Sequence, residues 1–415
     1  MTLPSVLLMG IDSPTGLTIM RELGKHGVPV HGVGSDERGI GAFSRYCSRF
    51  WKRGDGKLAD WLPGMITASG ALVVMAWSEN DLMALSSLPE IIAGAAVLTP
   101  RRKQLERVLD KAETLRLANE IGIETPQDWG DEPKKWPVVV KWPAPMRVIP
   151  KLRASGLEFI KAEYSNDAKE LAAVFRRYAS IDELPLVQSY AEGCGIGQMF
   201  HMQDGQATLF FQHERVHEWP PEGGVSTHCR AIPTSQHQAQ RTKSEALLAA
   251  IGWEGPAMVE YRWNPRTDEY ILMEINGRFW GSQPLASHAG AQFGWEVYRR
   301  NILNDNNAAP PYRMNVEARY MIPEAKRLFR LFTASKKIAD PYFKPKPWQD
   351  AASFIVGFFN PNMRYYVFSW SDPRPFFADC RNIIRKAWHR DTRQPMKSMH
   401  DQCEKSSFYR NPPIV

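Results

Sequence analysis

Glu260, Glu274, Asn276 and Arg278 are the residues whose types and spacing most directly suggest chemistry in this chain. They lie in residues 256–282, PAMVEYRWNPRTDEYILMEINGRFWGS, where two runs of alternating apolar and polar residues flank the turn-rich Asn264-Pro265-Arg266-Thr267-Asp268. Such a pattern predicts an antiparallel hairpin. Side chains alternate faces along a strand, so Glu274, Asn276 and Arg278 are expected on one side, with Met273 and Ile275 toward a core. With the turn centred near Arg266, Glu260 pairs opposite Leu272 and stands diagonal to Glu274, roughly 7–8 Å away at Cα. Divalent cations can bridge that span. Mg²⁺ prefers carboxylate oxygens and completes its shell with water and phosphate oxygens. The Arg278 guanidinium, one step on, can hold a developing anion in a fork geometry. The plain alternative is a solvated strand face with a surface ion pair.

Other elements must position these groups. Trp136–Pro143 holds three consecutive valines, Val138–Val140, ending in Lys141. A lysine there has its stem packed and its ammonium at the strand mouth, where α/β folds place phosphate-binding groups. Strands are expected at Phe159–Tyr164 and Leu186–Ser189, with a helix over Asp167–Tyr178. The segment Gly193-Cys194-Gly195-Ile196-Gly197 reads as a break before a hairpin of Gln198–His201 and Ala207–Phe211. The stretch His213–Gly224 reads as a loop dense in charge, rings and glycine, and Ser235–Gly252 as a helix. Arg101–Ile121 is expected as one charged helix containing Asp110-Lys111.

At the N-terminus, Val6–Met9, a glycine-bearing turn, a helix over Leu17–Lys25 and a strand over Val28–Val33 form a β-α-β unit, the ground plan of a doubly wound sheet. Further strands at Ala71–Ala76 and Val97–Leu98 complete a domain of about 100 residues. The spacing Gly10-x5-Gly16 departs from the G-x-G-x-x-G dinucleotide fingerprint, so bound NAD or FAD is not expected.

The chain has 415 residues, of which 43% are hydrophobic and 23% charged, as in an ordinary globular protein. Its five cysteines are scattered without a C-x-x-C, which suggests a reducing compartment. Val6–Met9 lacks a basic flank, so a signal peptide is not expected. No apolar run approaches the length of a membrane span. The net charge of +7 is unevenly placed, since residues 320–415 carry +9 and the first 319 residues −2. His201, His213, His217 and His228 lie close in sequence but lack zinc spacing.

By order and spacing across about residues 100–300, these motifs resemble the ATP-grasp ligases, in particular the branch identified as carboxylate–amine ligases. The carrying residues are Lys111, Lys141, the hinge Val187-Gln188-Ser189-Tyr190 with Glu192-Gly193, and Glu260, Glu274, Asn276 and Arg278. The resemblance implies an α/β and α+β chain: a doubly wound pre-ATP-grasp domain (1–100), a two-lobed ATP-grasp domain (101–310) and a mixed helical, basic C-terminal extension (311–415). Within the second domain it implies a lid-containing subdomain at about 125–190 and catalytic hairpins at 186–300.

The resemblance further implies ATP and Mg²⁺, or Mn²⁺, as cofactors. Lys111 and Lys141 would contact the phosphates; Gln188, Ser189 and Tyr190 would hold adenine; Glu192 would accept from the ribose. Glu260, Glu274 and Asn276 would ligate the metal. Arg278 would steady the acyl phosphate, Lys141 and Arg215 are counted with it as catalytic, and Gly281-Ser282 would close on substrate. The stretch His213–Ser226 resembles an H-x-R…PP-x-GG signature of that branch, making Arg215 and Arg230 candidates for the substrate carboxylate. Family members carry a glycine-rich lid after the strand lysine; here 142–157 holds three prolines, Lys151, Arg153 and only Gly156.

The implied reaction is ATP-dependent: a carboxylate becomes an acyl phosphate, and an amine displaces phosphate. The partners are then small-molecule carboxylates and amines, with no nucleic acid, in the cytoplasm. A degenerate nucleotide-binding protein on the same fold and a Rossmann-type oxidoreductase are the alternatives. In the C-terminal quarter, Arg374–Arg390 places Phe376, Phe377, Cys380, Ile383, Ile384, Ala387 and Trp388 on one helical stripe. That stripe suits either docking to a core or, through residues 375–397, peripheral contact with an anionic membrane.

Overall fold

The computed structural model describes residues 2–143 and 145–391, and for Met146 and residues 386–391 the backbone alone. The chain packs as two compact units, neither of them contiguous. The first comprises residues up to Arg102, Arg278–Pro310 and the chain from Tyr365; the second comprises Lys103–Gly277 and Pro311–Arg364. The chain thus leaves the second unit between Gly277 and Arg278, inside the segment expected to form a single domain over 101–310. Residues expected as a separate C-terminal extension are shared between the two units.

The first unit is built on a sheet of β1 (Val6–Met9), β2 (Val30–Gly34), β3 (Cys47–Lys52), β4 (Val73–Met75), β5 (Ile91–Ile92) and β6 (Ala95–Leu98), in the order β3-β2-β1-β4-β6-β5. All its pairings are parallel except β5–β6. The apolar residues of β3, Cys47, Phe50 and Trp51, do not alternate with polar ones, which is why the strand does not stand out in the sequence. The helix Pro14–Lys25 starts one turn earlier than expected because Ser13 caps it, accepting from the Gly16 N–H at 3.0 Å, with Pro14 in the first turn. Gly16 is needed for close approach, since a Cβ there would lie 2.3 Å from the Gly10 carbonyl oxygen. Glu22, on the same helix, is fully buried and accepts from the Gly294 N–H at 2.6 Å. Burial pushes its carboxyl up to about 7.

The second unit contains two sheets. The smaller has β7 (Val138–Lys141) at its centre, antiparallel to both β8 (Glu163–Ser165) and β9 (Leu186–Ser189). Val138, Val140 and Val187 pack with Val148, Leu171 and Val174 in a core beneath the helices Pro145–Ala154 and Ala168–Arg177. Alternation turns Val139 and Lys141 to the opposite face. Gln188 and Tyr164 share that face, because both pair with Val139.

The larger sheet has the order β14-β13-β10-β11-β12-β15-β16, with β10 (Cys194–Gln203), β11 (Gln206–Trp219), β12 (Val225–Ala231), β13 (Gly255–Asn264), β14 (Glu269–Asn276), β15 (Glu317–Arg319) and β16 (Met363–Tyr365). Two expectations are corrected here. Gly193–Gly197 is not a break, since β10 begins at Cys194, and the expected loop from His213 is strand as far as Trp219. Both segments are covered by neighbouring strands, so backbone pairing overrides the weak strand preference of their glycines and charges. The helix Gln238–Ile251 covers one face of the sheet, and its Ser244 hydroxyl donates to Gln198 Oε1 at 2.7 Å and bonds the Tyr261 hydroxyl.

The β13–β14 register is the third correction. The turn closes with Asn264 opposite Glu269, and the Asp268 N–H donates to the Asn264 carbonyl at 2.8 Å. Tyr261 then faces Leu272, but Glu260 faces Glu274, which leaves Met273 as a bulge. Glu260 is therefore directly opposite Glu274 rather than diagonal to it. Met273 is only half-buried, and Leu272 takes the core position.

The single charged helix expected over Arg101–Ile121 is two helices, Arg102–Leu109 and Lys111–Glu120. Asp110 breaks it by capping the second, accepting from the Ala112 and Glu113 N–H groups at 2.9 and 3.1 Å. The C-terminal helix Arg374–Asp391 forms as expected, with Phe377 and Ile384 exposed. The side chains of Ala387 and Trp388 and all of 392–397, part of the proposed membrane contact, lie outside the described residues. Among the described residues no helix is long and apolar enough to cross a membrane.

Candidate functional site

One face of the larger sheet gathers the charged groups of the second unit. Glu260 on β13 lies opposite Gly197 on β10, which lies opposite His213 on β11. Two residues along, Arg262 lies opposite Gly195, whose missing side chain leaves room for the stem of Arg215. Glu260, Glu274, His213, Arg215 and Arg262 therefore share a face. The glycines are required by this crowding: a Cβ at Gly195 would lie 2.8 Å from Arg215 Cδ, and one at Gly197 would lie 2.7 Å from His213 Cε1.

The carboxylates of this face are neutralised by cations. Arg215 Nη2 donates to Glu260 Oε2 at 2.5 Å, and Arg215 Nη1 stands 3.6 Å from Glu218 Oε1. Lys161 Nζ lies 3.6 Å from Glu274 Oε1, to which the Asn276 amide also donates at 3.3 Å. Arg262 Nη2 is 3.8 Å from Glu218 and its Nη1 donates to the Gly193 carbonyl at 3.1 Å. Burial opposes the Arg215 charge, but Glu260 and Glu218 outweigh it and hold the guanidinium above its usual range. Burial pushes the Glu260 carboxyl up, Arg215 opposes that, and Glu274 adds to it. The Glu274 carboxylate raises Lys161.

Lys141, on the smaller sheet, completes the set. Burial, then the charges of Lys111 and Lys161, push its ammonium down to about 8. A depressed lysine among other cations marks a place where positive charge is in excess. Lys111, Lys141, Lys161, Arg215 and Arg262 form one electrostatic cluster with Glu218, Glu260 and Glu274. Such a gathering of lysines and arginines is suited to a polyanion. His213, fully buried with neither ring nitrogen hydrogen-bonded, is pushed down to about 3 by burial and by Arg215, so it is a neutral imidazole here.

The remaining expected site residues fall in several places. Gln188 is buried on the Lys141 face of the smaller sheet, and the Ser189 hydroxyl accepts from the Gln127 N–H at 3.0 Å. Tyr190 stacks on Tyr342, ring centroids 4.7 Å apart, and its hydroxyl donates to Asp340 at 3.1 Å. Glu192 is exposed, 3.7 Å from Arg266. Arg230 is not brought to Arg215: it pairs with Glu214 at 2.7 Å, one residue along the strand and hence on the opposite face. Arg278 lies beyond the end of β14, in the first unit, 3.6 Å from Glu79. Gly281 and Ser282 also belong to the first unit, with Ser282 preceding the helix Gln283–Ala289.

Sequence reasoning missed Lys161, Glu218 and Arg262. Arg262 was accessible, being two residues from Glu260 on a strand. Lys161 sits outside regular structure just before β8, and Glu218 follows a bulge in β11, so no periodicity marks either. After Lys141, where the family it resembles carries a phosphate lid, the chain forms the helix Pro145–Ala154, with Val148 and Leu152 in the core and Lys151 bound to Asp182 and Glu183 at 2.6 and 2.9 Å.

Glu260 and Glu274 fit a hard divalent cation. Two carboxylates directly opposite on a ladder repel unless a cation lies near, and this pair is balanced by Arg215 and Lys161. With the Asn276 amide oxygen they offer an all-oxygen donor set. Among the described residues, no group of three or more His, Cys, Asp or Glu is arranged to hold a metal ion, so a cation at this pair would take the rest of its shell from water or phosphate.

Comparison with known proteins agrees with this architecture. The family model of the carbamoyl-phosphate synthase L chain, ATP binding domain, matches residues 226–293. No curated protein matches. Among solved structures, N5-carboxyaminoimidazole synthetase from Staphylococcus aureus, complexed with ADP, aligns with a TM-score of 0.58 at 11% identity, covering 86% of this chain and 97% of that one. The biotin carboxylase domain of Hydrogenobacter thermophilus 2-oxoglutarate carboxylase, in complex with MgADP, ADP and bicarbonate, aligns at 0.57 and 13% identity, covering 76% and 74%. Rhizobium etli pyruvate carboxylase aligns at 0.56 and 15% identity over 76% of this chain, which spans only 29% of that longer one.

Proposed function

The chain has the ATP-grasp fold, and from that premise we propose that it is an ATP-dependent ligase that activates a carboxylate as an acyl phosphate and joins it to an amine. The observation that carries this reading is the cluster of Lys111, Lys141, Lys161, Arg215 and Arg262 around the carboxylates Glu218, Glu260 and Glu274. Phosphoryl transfer needs little covalent help from a protein; it needs positioning and neutralisation of charge.

In this reading Lys111, Lys141 and Lys161 bind the phosphates. The adenine lies at Gln188–Tyr190, with Glu192 the ribose acceptor. Glu260, Glu274 and Asn276 hold Mg²⁺, which when bound draws charge from the phosphate oxygens. Arg215 is the anchor for the substrate carboxylate, and Arg278 is assigned to the acyl phosphate, with Gly281-Ser282 on the substrate side. A carboxylate oxygen of the substrate attacks the γ-phosphorus and ADP leaves with the bridging oxygen. The amine then adds to the acyl carbon, phosphate departs, and the amine proton passes to solvent.

The helix Pro145–Ala154, in place of a glycine-rich lid, favours a second reading, a nucleotide-binding protein without turnover. The test is ADP release from Mg·ATP by the full chain across a library of carboxylates and amines, with hydroxylamine added to trap acyl phosphate as hydroxamate. Carboxylate-dependent ADP release with hydroxamate supports the ligase. Tight Mg·ATP binding without release for any pair overturns it in favour of the second reading.

A further inference from the structure

The segment 320–364 of the second unit presents an apolar surface that its own unit does not cover. Its helices Met321–Ala334 and Pro347–Val356 are each two-sided. The inner side of the first carries Glu324, Arg327 and Leu331, all buried. Arg327 Nη2 donates to Asp350 Oδ2 on the second helix at 2.7 Å, which fixes the two together. The outer side of the second carries Trp348 and Ile355, and Phe359 follows on the same stripe at i, i+7 and i+11. These side chains are 79%, 60% and 82% exposed. Pro347–Val356 has no buried residue at all, although it is apolar. Phe329 and Phe332, one turn apart on the first helix, extend the surface, and the Phe332 ring meets Trp348 edge-on at 5.0 Å. So many large apolar side chains grouped in the open mark a contact surface.

The charge around this surface identifies what it fits. Residues 320–364 hold eight Lys and Arg against three acids. All three acids are engaged: Glu324 by His217 and Thr227, Asp350 by Arg327, and Asp340 by Tyr190. Lys336, Lys337, Lys344 and Lys346 are exposed, in the loop that joins the two helices beside Phe332 and Trp348. Two copies of the chain meeting through this surface would bring like charges together, which disfavours self-association. Aromatic rings bordered by lysines suit the interface of a bilayer, where rings sit at headgroup depth and ammonium groups meet anionic phosphates. We propose that the surface formed by Phe329, Phe332, Trp348, Ile355 and Phe359 with the four lysines docks the protein on an anionic lipid bilayer.

The test uses the full chain and sedimentation with vesicles of phosphatidylcholine, either alone or with about 30 mol % phosphatidylglycerol, an anionic fraction that sets a negative surface potential. Binding is expected only to the anionic vesicles. It should fall by about tenfold or more in the K336E/K337E/K344E/K346E variant and in W348A/F359S, because each lysine and each inserted ring adds to the partition. All these positions are exposed, so circular dichroism and melting should match the parent. F377S/I384S, on the helix from Arg374, should leave binding unchanged. The proposal is overturned by an absence of binding to anionic vesicles, or by equal binding to neutral ones. Loss of binding only in F377S/I384S overturns it too, as does sedimentation velocity showing a dimer that W348A/F359S dissociates.

Discussion

Glu260 and Glu274 face each other across the β13–β14 ladder only because Met273 is extruded between Leu272 and Glu274. Without that bulge the turn register would set Glu260 opposite Met273 and turn Glu274 and Asn276 to the other face of the sheet. A single unpaired residue therefore decides whether two carboxylates and an amide meet. Deleting Met273 leaves Glu274 opposite Glu260 in a regular ladder, so the deletion is expected to keep the sheet and Mg·ATP-dependent ADP release. Circular dichroism would show the sheet retained, and loss of ADP release in the folded deletion would show that the pairing alone does not make the site.

Glu274→Ala tests the same pair by chemistry rather than register. Glu274 is partly exposed, so the fold should persist while ADP release drops by at least about 100-fold, the scale of losing a metal ligand or a charge aimed at the transition state. Steady-state assay of ADP release, with melting as the control, checks it.

Arg215→Ala should instead destabilise the protein. Its Glu260 partner is buried, and breaking such a pair costs about 3–5 kcal/mol. The double variant R215A/E260Q should recover part of that loss in a urea titration. Millimolar Mg²⁺ should stabilise R215A more than the parent, since a cation binding the native state shifts unfolding by mass action.

Lys141 gives the pH dependence a defined sign. Its ammonium titrates at about 8 in the folded chain against an ordinary value of 10.5. Affinity for ATP should weaken as pH rises through about 8, because the neutral amine no longer attracts phosphate. Between about 8 and 10.5 the unfolded chain binds the proton more tightly, so stability contributed by this group rises with pH over the same interval. Lys141→Arg should flatten the affinity profile, measured by calorimetric titration with ATP at pH values on either side.

Two glycines separate packing from function. Gly197→Ala drives a methyl into the His213 ring and Met199, 2.7 and 2.8 Å away, and should cost about 1–3 kcal/mol in denaturant unfolding. Gly281→Ala meets no atom within 4 Å and should leave stability unchanged. If Gly281 borders the substrate, as proposed, its effect will be on KM for the carboxylate alone.

The amino-acid sequence by itself determined the local elements and the identity of the main charged groups. The valine run ending at Lys141, the β-α-β start with its glycine turn and the alternating hairpin are each set by residues within a few positions of one another. Such signals survive without tertiary context. Tertiary structure decided whatever depends on partners distant in the chain. It set the Glu260–Glu274 register through one bulge and put Arg230 on the face away from Arg215. It brought Lys161 from outside any strand to Glu274, and turned the proline-bearing stretch after Lys141 into a core helix. It also divided the chain after Gly277, so that Arg278, two residues from Asn276, belongs to a different unit. Register, face and unit membership are fixed by burial and pairing summed over the whole chain, and no local spacing encodes those sums.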